Sequence, residues 1–351
     1  MKRLQKAILI ESFCLCLLGG AAAAQWEPRA VTAEEQKGDF IKWVDFNVSY
    51  EALCAAYQWD IDTHGSEHPV SWIELLAYLA ARDGDNFGKS SLKRIAETAG
   101  QLAEGSVTME ELTRDLSHYS YYKEAYTAVL GGYVGEYEIE TAPGSGIYEK
   151  RYGLKAYLPL AKGFPYGDYD DFGVSRSYGY RRQHLGHDMM GQIGTPVIAV
   201  ESGYVEAAGW NQYGGWRLGI RSFDGQRYYY YAHLRQNYPY AEGLEEGSVV
   251  TAGDVIGYMG HTGYSTTENV NNIDEVHLHF GIQLIFDESQ KEGNSEIWIN
   301  PYQLVRFLRN NQSEAVKVEN SREWIRSQNM KDPAATSWQK EKMQKNEEEK
   351  K

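Results

Sequence analysis

Between about Asp168 and Asn310 the sequence falls into short β-rich runs separated by glycine: "TPVIAV", "GYVEAAGW", "RLGIRSF", "QRYYYYAHL", "GSVVTAGDVIGYMG" and "VHLHFGIQLIF". Runs this short and this closely punctuated predict an antiparallel all-β sandwich or barrel rather than an α/β unit. Residues 38 to 140 read as helices instead. Ser71 with Glu74 in "SWIELLAYLAARDG" and Thr108 with Glu111 in "TMEELTRDL" are capping-box pairs, each leading into apolar residues at helical spacing. Similar patterns cover 49–59, 90–103 and 120–130, and Gly131-Gly132 is positioned to stop the last. The expected fold class is therefore α+β and multidomain, with a small all-α N-terminal domain followed by an antiparallel β domain.

The expected boundaries are a signal peptide over 1–24, a helical domain over 25–140, a linker over 141–165, the β domain over 166–310 and a charged flexible tail over 311–351. A basic "MKRLQK", an apolar "AILIESFCLCLLGG" and a small-residue "AAAA" follow one another in the order an export signal requires. The chain is thus expected to be exported and secreted, with a membrane tether only if that segment is retained. Cleavage after Ala24 would leave Cys54 as the sole cysteine, so neither a disulfide framework nor a Cys-based metal site is expected. Cys54 reads as a small buried hydrophobe. A formal charge of −14 makes phosphate-backbone contacts unfavourable and argues against nucleic acid as a partner. Oligomeric state is not legible.

Six of the nine histidines, His184, His187, His233, His261, His277 and His279, fall in the β-rich segment. On a strand, "VHLHF" would place Val276, Leu278 and Phe280 on one face and His277 and His279 on the other, roughly 6.6 Å apart. Two imidazoles so placed can reach one ion, or they can simply be the polar face of an amphipathic strand. In "RRQHLGHDMMG", four residues of straight strand span about 13 Å, too far for His184 and Asp188 to share an ion. A helix would suffice, at about 6 Å, but the stretch has no helical apolar stripe. A bend at Gly186 is the remaining solution. With the chain extended on either side, His187 points away from Asp188 and reads as a neighbour of the site. A set of His184, Asp188 and His279 would leave a fourth tetrahedral position open, the catalytic arrangement of zinc. His277 and His233 are available to move protons, and His261 reads as a loop residue.

In order along about 135 residues, "SYGYRRQHLGHD" with its H-x-G-x-D core, "GTPVIAVESGYVEAAGWNQYGG", "YYAHL", "GSVVTAGDVIGYMGHTGYST", "HLHF" and "WINPYQL" resemble the lysostaphin-type (LytM-like) zinc peptidases. The resemblance covers roughly Gly173 to Phe307. It implies an antiparallel fold of the duplicated-hybrid-motif type with a groove over one zinc ion. By position it also implies that His184, Asp188 and His279 bind the metal and that His233 and His277 assist catalysis, with Tyr178 a candidate for oxyanion stabilisation. The implied activity is endopeptidase hydrolysis of peptidoglycan peptides at the cell wall; the alternative is a wall-binding or regulatory module of the same fold. Two departures stand out. "TENVNNIDEV" (267–276) is inserted before His277, where the family usually goes almost directly to its histidine pair, and Gly281 stands where the family is often acidic.

Overall fold

The computed structural model describes residues 40–348 apart from 179, 292 and 294, with only the backbone described at 178, 180, 343 and 345–348. The expected signal segment lies outside the described residues. Among the described residues five helices come first: α1 (Tyr50–Thr63), α2 (Trp72–Asp83), α3 (Lys89–Ala103), α4 (Met109–Thr113) and α5 (Tyr119–Leu130). Their starts follow the expected chemistry. Thr108 and Glu111 form a full capping box at α4, with bonds of 3.2 and 2.8 Å. Ser71 accepts from the Glu74 amide at α2, but the Glu74 carboxylate reaches Lys123 on α5 instead of closing the box. α2 is buried along nearly its whole length, with Leu75, Leu76 and Ala77 inaccessible to solvent, so the other helices pack around it.

Gly131 and Gly132 do end α5, though not through a left-handed cap, since Gly131 keeps a helical φ of −57°. Space is what demands glycine here. A Cβ on Gly132 would lie 1.5 Å from a carboxylate oxygen of Glu201. That carboxylate belongs to a buried cluster that fastens the helices to the β region. The Arg227 guanidinium pairs with Glu201 at 2.7 and 3.1 Å and donates to the carbonyls of Thr127 and Ala128 at the end of α5 at 3.3 and 2.6 Å. One hydrophobic core accordingly runs from Leu53 and Leu76 through Tyr229, Phe280 and Phe307.

The strands are β1 (Val134–Glu140), β2 (Tyr148–Leu154), β3 (Ser175–Tyr178), β4 (Tyr180–Gln183), β5 (His187–Met190), β6 (Pro196–Ile198), β7 (Gly203–Asn211), β8 (Gly215–Ser222), β9 (Arg227–Ala232), β10 (Val249–Val250), β11 (Val255–Tyr258), β12 (His277–Leu284) and β13 (Ile297–Ile299). Every pairing among them is antiparallel, as expected from the glycine-broken runs. The main sheet has the order β10-β7-β8-β9-β12-β13, with β5 paired to the first half of β12.

Two expectations change. Residues 141–165, expected as a linker, contain β2, whose hairpin with β1 is extended by β16 (Met330–Lys331) into a three-stranded sheet. The segment from 311 onward, expected as a flexible tail, holds β14 (Ala315–Lys317), β15 (Trp324–Arg326), β16 and a terminal helix (Pro333–Glu348), after helix α6 (Tyr302–Leu308). Both were obscured by charge: β1 and β2 are exposed or half-buried along most of their length, so they lack the apolar alternation that marks a strand. Among the described residues no helix is long and apolar enough to cross a membrane.

Candidate metal centre

Asp188 and His279 meet because strand pairing puts them opposite each other. β5 runs against β12 with Asp188 facing His279 and His187 facing Phe280. His184 enters from the far side of Gly186, where the chain bends between β4 and β5. The bend is not left-handed; Gly186 is required by close approach. A Cβ there would lie 2.5 Å from His279 Cε1, 2.6 Å from Nε2 and 2.9 Å from the Phe280 carbonyl oxygen.

The result is a triangle of donor atoms. His184 Nε2 lies 3.0 Å from Asp188 Oδ1 and 2.9 Å from His279 Nδ1, and His279 Nδ1 lies 3.0 Å from Asp188 Oδ1. A tetrahedral zinc ion with bonds of about 2.0–2.1 Å holds its donors about 3.3 Å apart, so the triangle need open by only a few tenths of an ångström. Two imidazoles and a carboxylate are also the donor types that zinc takes at sites with an open position. These residues fit a metal ion.

Behind the triangle lies a chain of charged groups with no counterpart in the sequence reading. The His184 Nδ1–H donates to the Asp171 carbonyl at 3.0 Å, which makes Nε2 the nitrogen that faces the triangle and gives up its proton when a metal binds. Arg176 donates from one nitrogen to Asp171 Oδ2 and to Asp188 Oδ2, both at 2.9 Å, leaving Asp188 Oδ1 to the triangle. The fully buried Asp171 also takes His187 Nδ1 at 3.3 Å and the Asp188 amide at 3.4 Å. His187 Nε2 reaches Asp168 at 3.0 Å, and Asp168 pairs in turn with Arg309, just beyond α6. His187 is thus a neighbour of the site and wholly buried.

These contacts set the charges. Burial opposes protonation of His184, but Asp171 and Asp188 outweigh it and hold its pKa at about 9. His187 is raised by the same opposition, burial losing to Asp168 and Asp171. Burial pushes the other way on the carboxylates and is again overcome: bonds from His184 and His187 hold Asp171 at about 2, and bonds from His184 and His279 keep Asp188 far below the carboxylate range. Burial lowers His279 and, with His277 and His279 beside it, lowers His233 strongly.

His277 and His233 flank the triangle with ring centres 4.7 Å apart. His277 Nδ1–H is held by the Glu275 carbonyl at 2.9 Å and its Nε2 lies 3.7 Å from Asp188 Oδ1. His233 Nδ1–H is held by the Thr262 carbonyl at 2.9 Å. In both rings Nε2 is the nitrogen left to act on a substrate. His233 sits at φ 60°, sparsely populated for a residue with a Cβ, and is kept there by a 2.7 Å bond from its amide to the Gly214 carbonyl. Tyr178 ends β3, but its side chain lies outside the described residues.

His261, read as a loop residue, anchors the inserted segment by donating to the Ile273 carbonyl at 2.6 Å. Asn269 is tied to Trp216 Nε1 at 2.9 Å and to the Asn237 amide at 2.8 Å. So fixed, the insertion contributes Asp274, Glu275 and Val276 to the lining of an open cavity of about 470 Å³ that Tyr166 and Met190 also line. Gly281 is glycine because Trp298 packs on it, 2.7 Å from where a Cβ would stand.

Residues 182–293 match the model of Peptidase family M23. An L-Ala–D-Glu endopeptidase of Bacillus subtilis (strain 168) is 35% identical over 149 residues, 42% of this chain and 42% of that protein. Lysostaphin of Staphylococcus simulans is 38% identical over 120 residues, 34% of this chain and 20% of that protein. A solved chain from Ruminococcus gnavus ATCC 29149 bearing the name lytM superposes with a TM-score of 0.49 at 25% identity, covering 79% of this chain and 94% of that one. The match thus spans less than half the length of either curated relative.

Proposed function

Because the chain carries an M23 peptidase domain homologous to the lysostaphin-type endopeptidases, we propose that it is a zinc-dependent endopeptidase acting on bacterial cell-wall peptidoglycan. The observation that carries this reading is the convergence of His184 Nε2, Asp188 Oδ1 and His279 Nδ1 within 3.0 Å of one another, beside two further histidines whose Nδ1 atoms are held by backbone carbonyls and whose Nε2 atoms make no hydrogen bond among the described residues.

Zinc held by His184, Asp188 and His279 would supply Lewis acidity, polarising the scissile carbonyl and lowering the pKa of water to near 7. The chain's own groups handle the protons. His277, with Nδ1–H fixed on a carbonyl, accepts the proton of the attacking water at Nε2 and returns it to the leaving amine. While it carries that proton, its Nε2–H favours the developing oxyanion. His233, kept neutral by burial, accepts a hydrogen bond at Nε2 and orients the water. Tyr178 remains a second candidate for the oxyanion. Asp171 and Arg176 hold His184 and Asp188 in place and do not react. A wall-binding module of the same fold would need none of this, and the complete donor set favours the enzyme. The N-terminal segment, read as an export signal, fits a substrate outside the cell.

The test is incubation of the zinc-loaded full chain with a panel of peptidoglycans. New amino groups should appear, their release should be lost in His184→Ala, and mass spectrometry of the fragments identifies the bond. Equal results for wild type and variant would reject the reading.

A further inference from the structure

The hairpin beside the metal centre carries two arginines in register. β3 pairs with β4 so that Arg176 lies directly opposite Arg182, and residues directly opposite on an antiparallel pair share a face. Arg176 marks that face as the one toward the metal, since Asp171 and Asp188 both accept from it. Arg182 has no such counter-ion: among the described residues no carboxylate pairs with it. Its Nη2 donates to the Tyr264 hydroxyl, and its Nε is buried with no hydrogen-bond partner. The guanidinium lies 5.0 Å from the Tyr264 ring centre and 5.4 Å from that of Tyr213. The Tyr264 ring is in turn 5.9 Å from His233. Like charges opposite each other on a hairpin, and a buried donor without an acceptor, both cost stability. Both costs fall on a side chain that is only half-buried and has no carboxylate of its own among the described residues, so an anionic ligand reaching its accessible end can offset them.

We propose that Arg182, steadied between Tyr213 and Tyr264, is the binding site for a free carboxylate of the peptide substrate close to the scissile bond. The proposal rests on the peptidase reading above and names one substrate feature for it. A guanidinium is planar and presents paired donors that match a carboxylate, and the bond to the Tyr264 hydroxyl with the two nearby rings restrains it before a ligand arrives. The charge balance points the same way. A chain of net charge −14 disfavours an anionic peptide unless a local cation receives it.

The experiment compares two muropeptide preparations from one peptidoglycan, one with its carboxylates free and one with them converted to amides, cleaved by zinc-loaded full-length wild type, Arg182→Gln and Arg182→Lys. Circular dichroism and zinc content check that the variants are folded and loaded. For wild type, kcat/KM should be higher on the free acids. Arg182→Gln should lower it about 10- to 100-fold on those, mainly through KM, and by less than about threefold on the amides. Arg182→Lys should recover part of the loss. Equal losses on both preparations carried by kcat would assign Arg182 to the transition state instead and overturn the proposal, as would no loss on either. If wild type cleaves neither preparation, the peptidase reading itself fails.

Discussion

Gly186→Ala adds one methyl group to a residue that binds nothing, and it should dismantle the metal centre. The new Cβ would stand 2.5 Å from His279 Cε1, 2.6 Å from Nε2 and 2.9 Å from the Phe280 carbonyl oxygen. Ordinary carbon contacts begin near 3.5 Å, so the His279 ring or the β5–β12 pairing must retreat by about 1 Å. The carbonyl belongs to β12 in the middle of the sheet and has little room to yield, so the ring moves. Metal–donor distances tolerate about 0.2 Å, so a shift of that size removes His279 from the donor set. Overpacking of this kind also costs about 1–3 kcal/mol of folding stability. Denaturant titration reads the stability, and competition with a chromophoric chelator reads zinc affinity, which should fall at least tenfold. Wild-type affinity in a folded Gly186→Ala protein would refute the claimed geometry around His279.

Other consequences are equally concrete. Asp171→Asn leaves the carbonyl that fixes His184 but removes the charge shared with Arg176, and should weaken zinc binding by about 10- to 100-fold without unfolding the chain, as measured by the same competition. Because His184 is held at about 9 in the metal-free protein, zinc uptake at pH 7 should release close to one proton from it. Calorimetry in buffers of different ionisation enthalpy measures that proton, and affinity should climb with pH until about 9. The same raised value stabilises the metal-free fold. The contribution is full below the unfolded value near 6.5 and lost as pH rises through about 9, so denaturation midpoints of metal-free wild type, but not of His184→Gln, should show that decline. Glu201→Ala leaves the buried Arg227 with Asp224 as its remaining carboxylate partner and should cost about 1–3 kcal/mol while leaving zinc affinity unchanged, since the pair fastens helix to sheet and touches none of the three donors.

The reach of the sequence followed the range of each interaction. Alternation in "VHLHF" depends on adjacent residues, and β12 indeed buries Leu278 and Phe280 on the face opposite its two histidines. Helix caps are equally local, and the His184–Asp188 bend needed only the arithmetic of four residues. Asp171 and Arg176 were missed because the acidic run "GDYDDFG" has no periodicity and its partners come from β3, β5 and the turn before it. An acidic run shortly before a histidine ligand, with an arginine between, is the signal that was available. Arg309 reaches Asp168 across 141 positions and offers no local trace. The hairpin of β1 and β2 read as a linker for a related reason: both strands are largely polar, and β16, the strand that completes their sheet, lies nearly 200 residues along the chain. Gly186 was expected for backbone freedom and is required for want of space, a distinction that depends on where His279 arrives.

The claim on which everything else depends is that His184, Asp188 and His279 hold one zinc ion. Elemental analysis of the full chain after dialysis against trace zinc tests it most directly, with His184→Ala, Asp188→Ala and His279→Ala prepared in parallel. The account predicts one zinc per chain in wild type and a near-total loss in each variant. Absence of zinc from folded wild type, or full retention by any of the three, would contradict it.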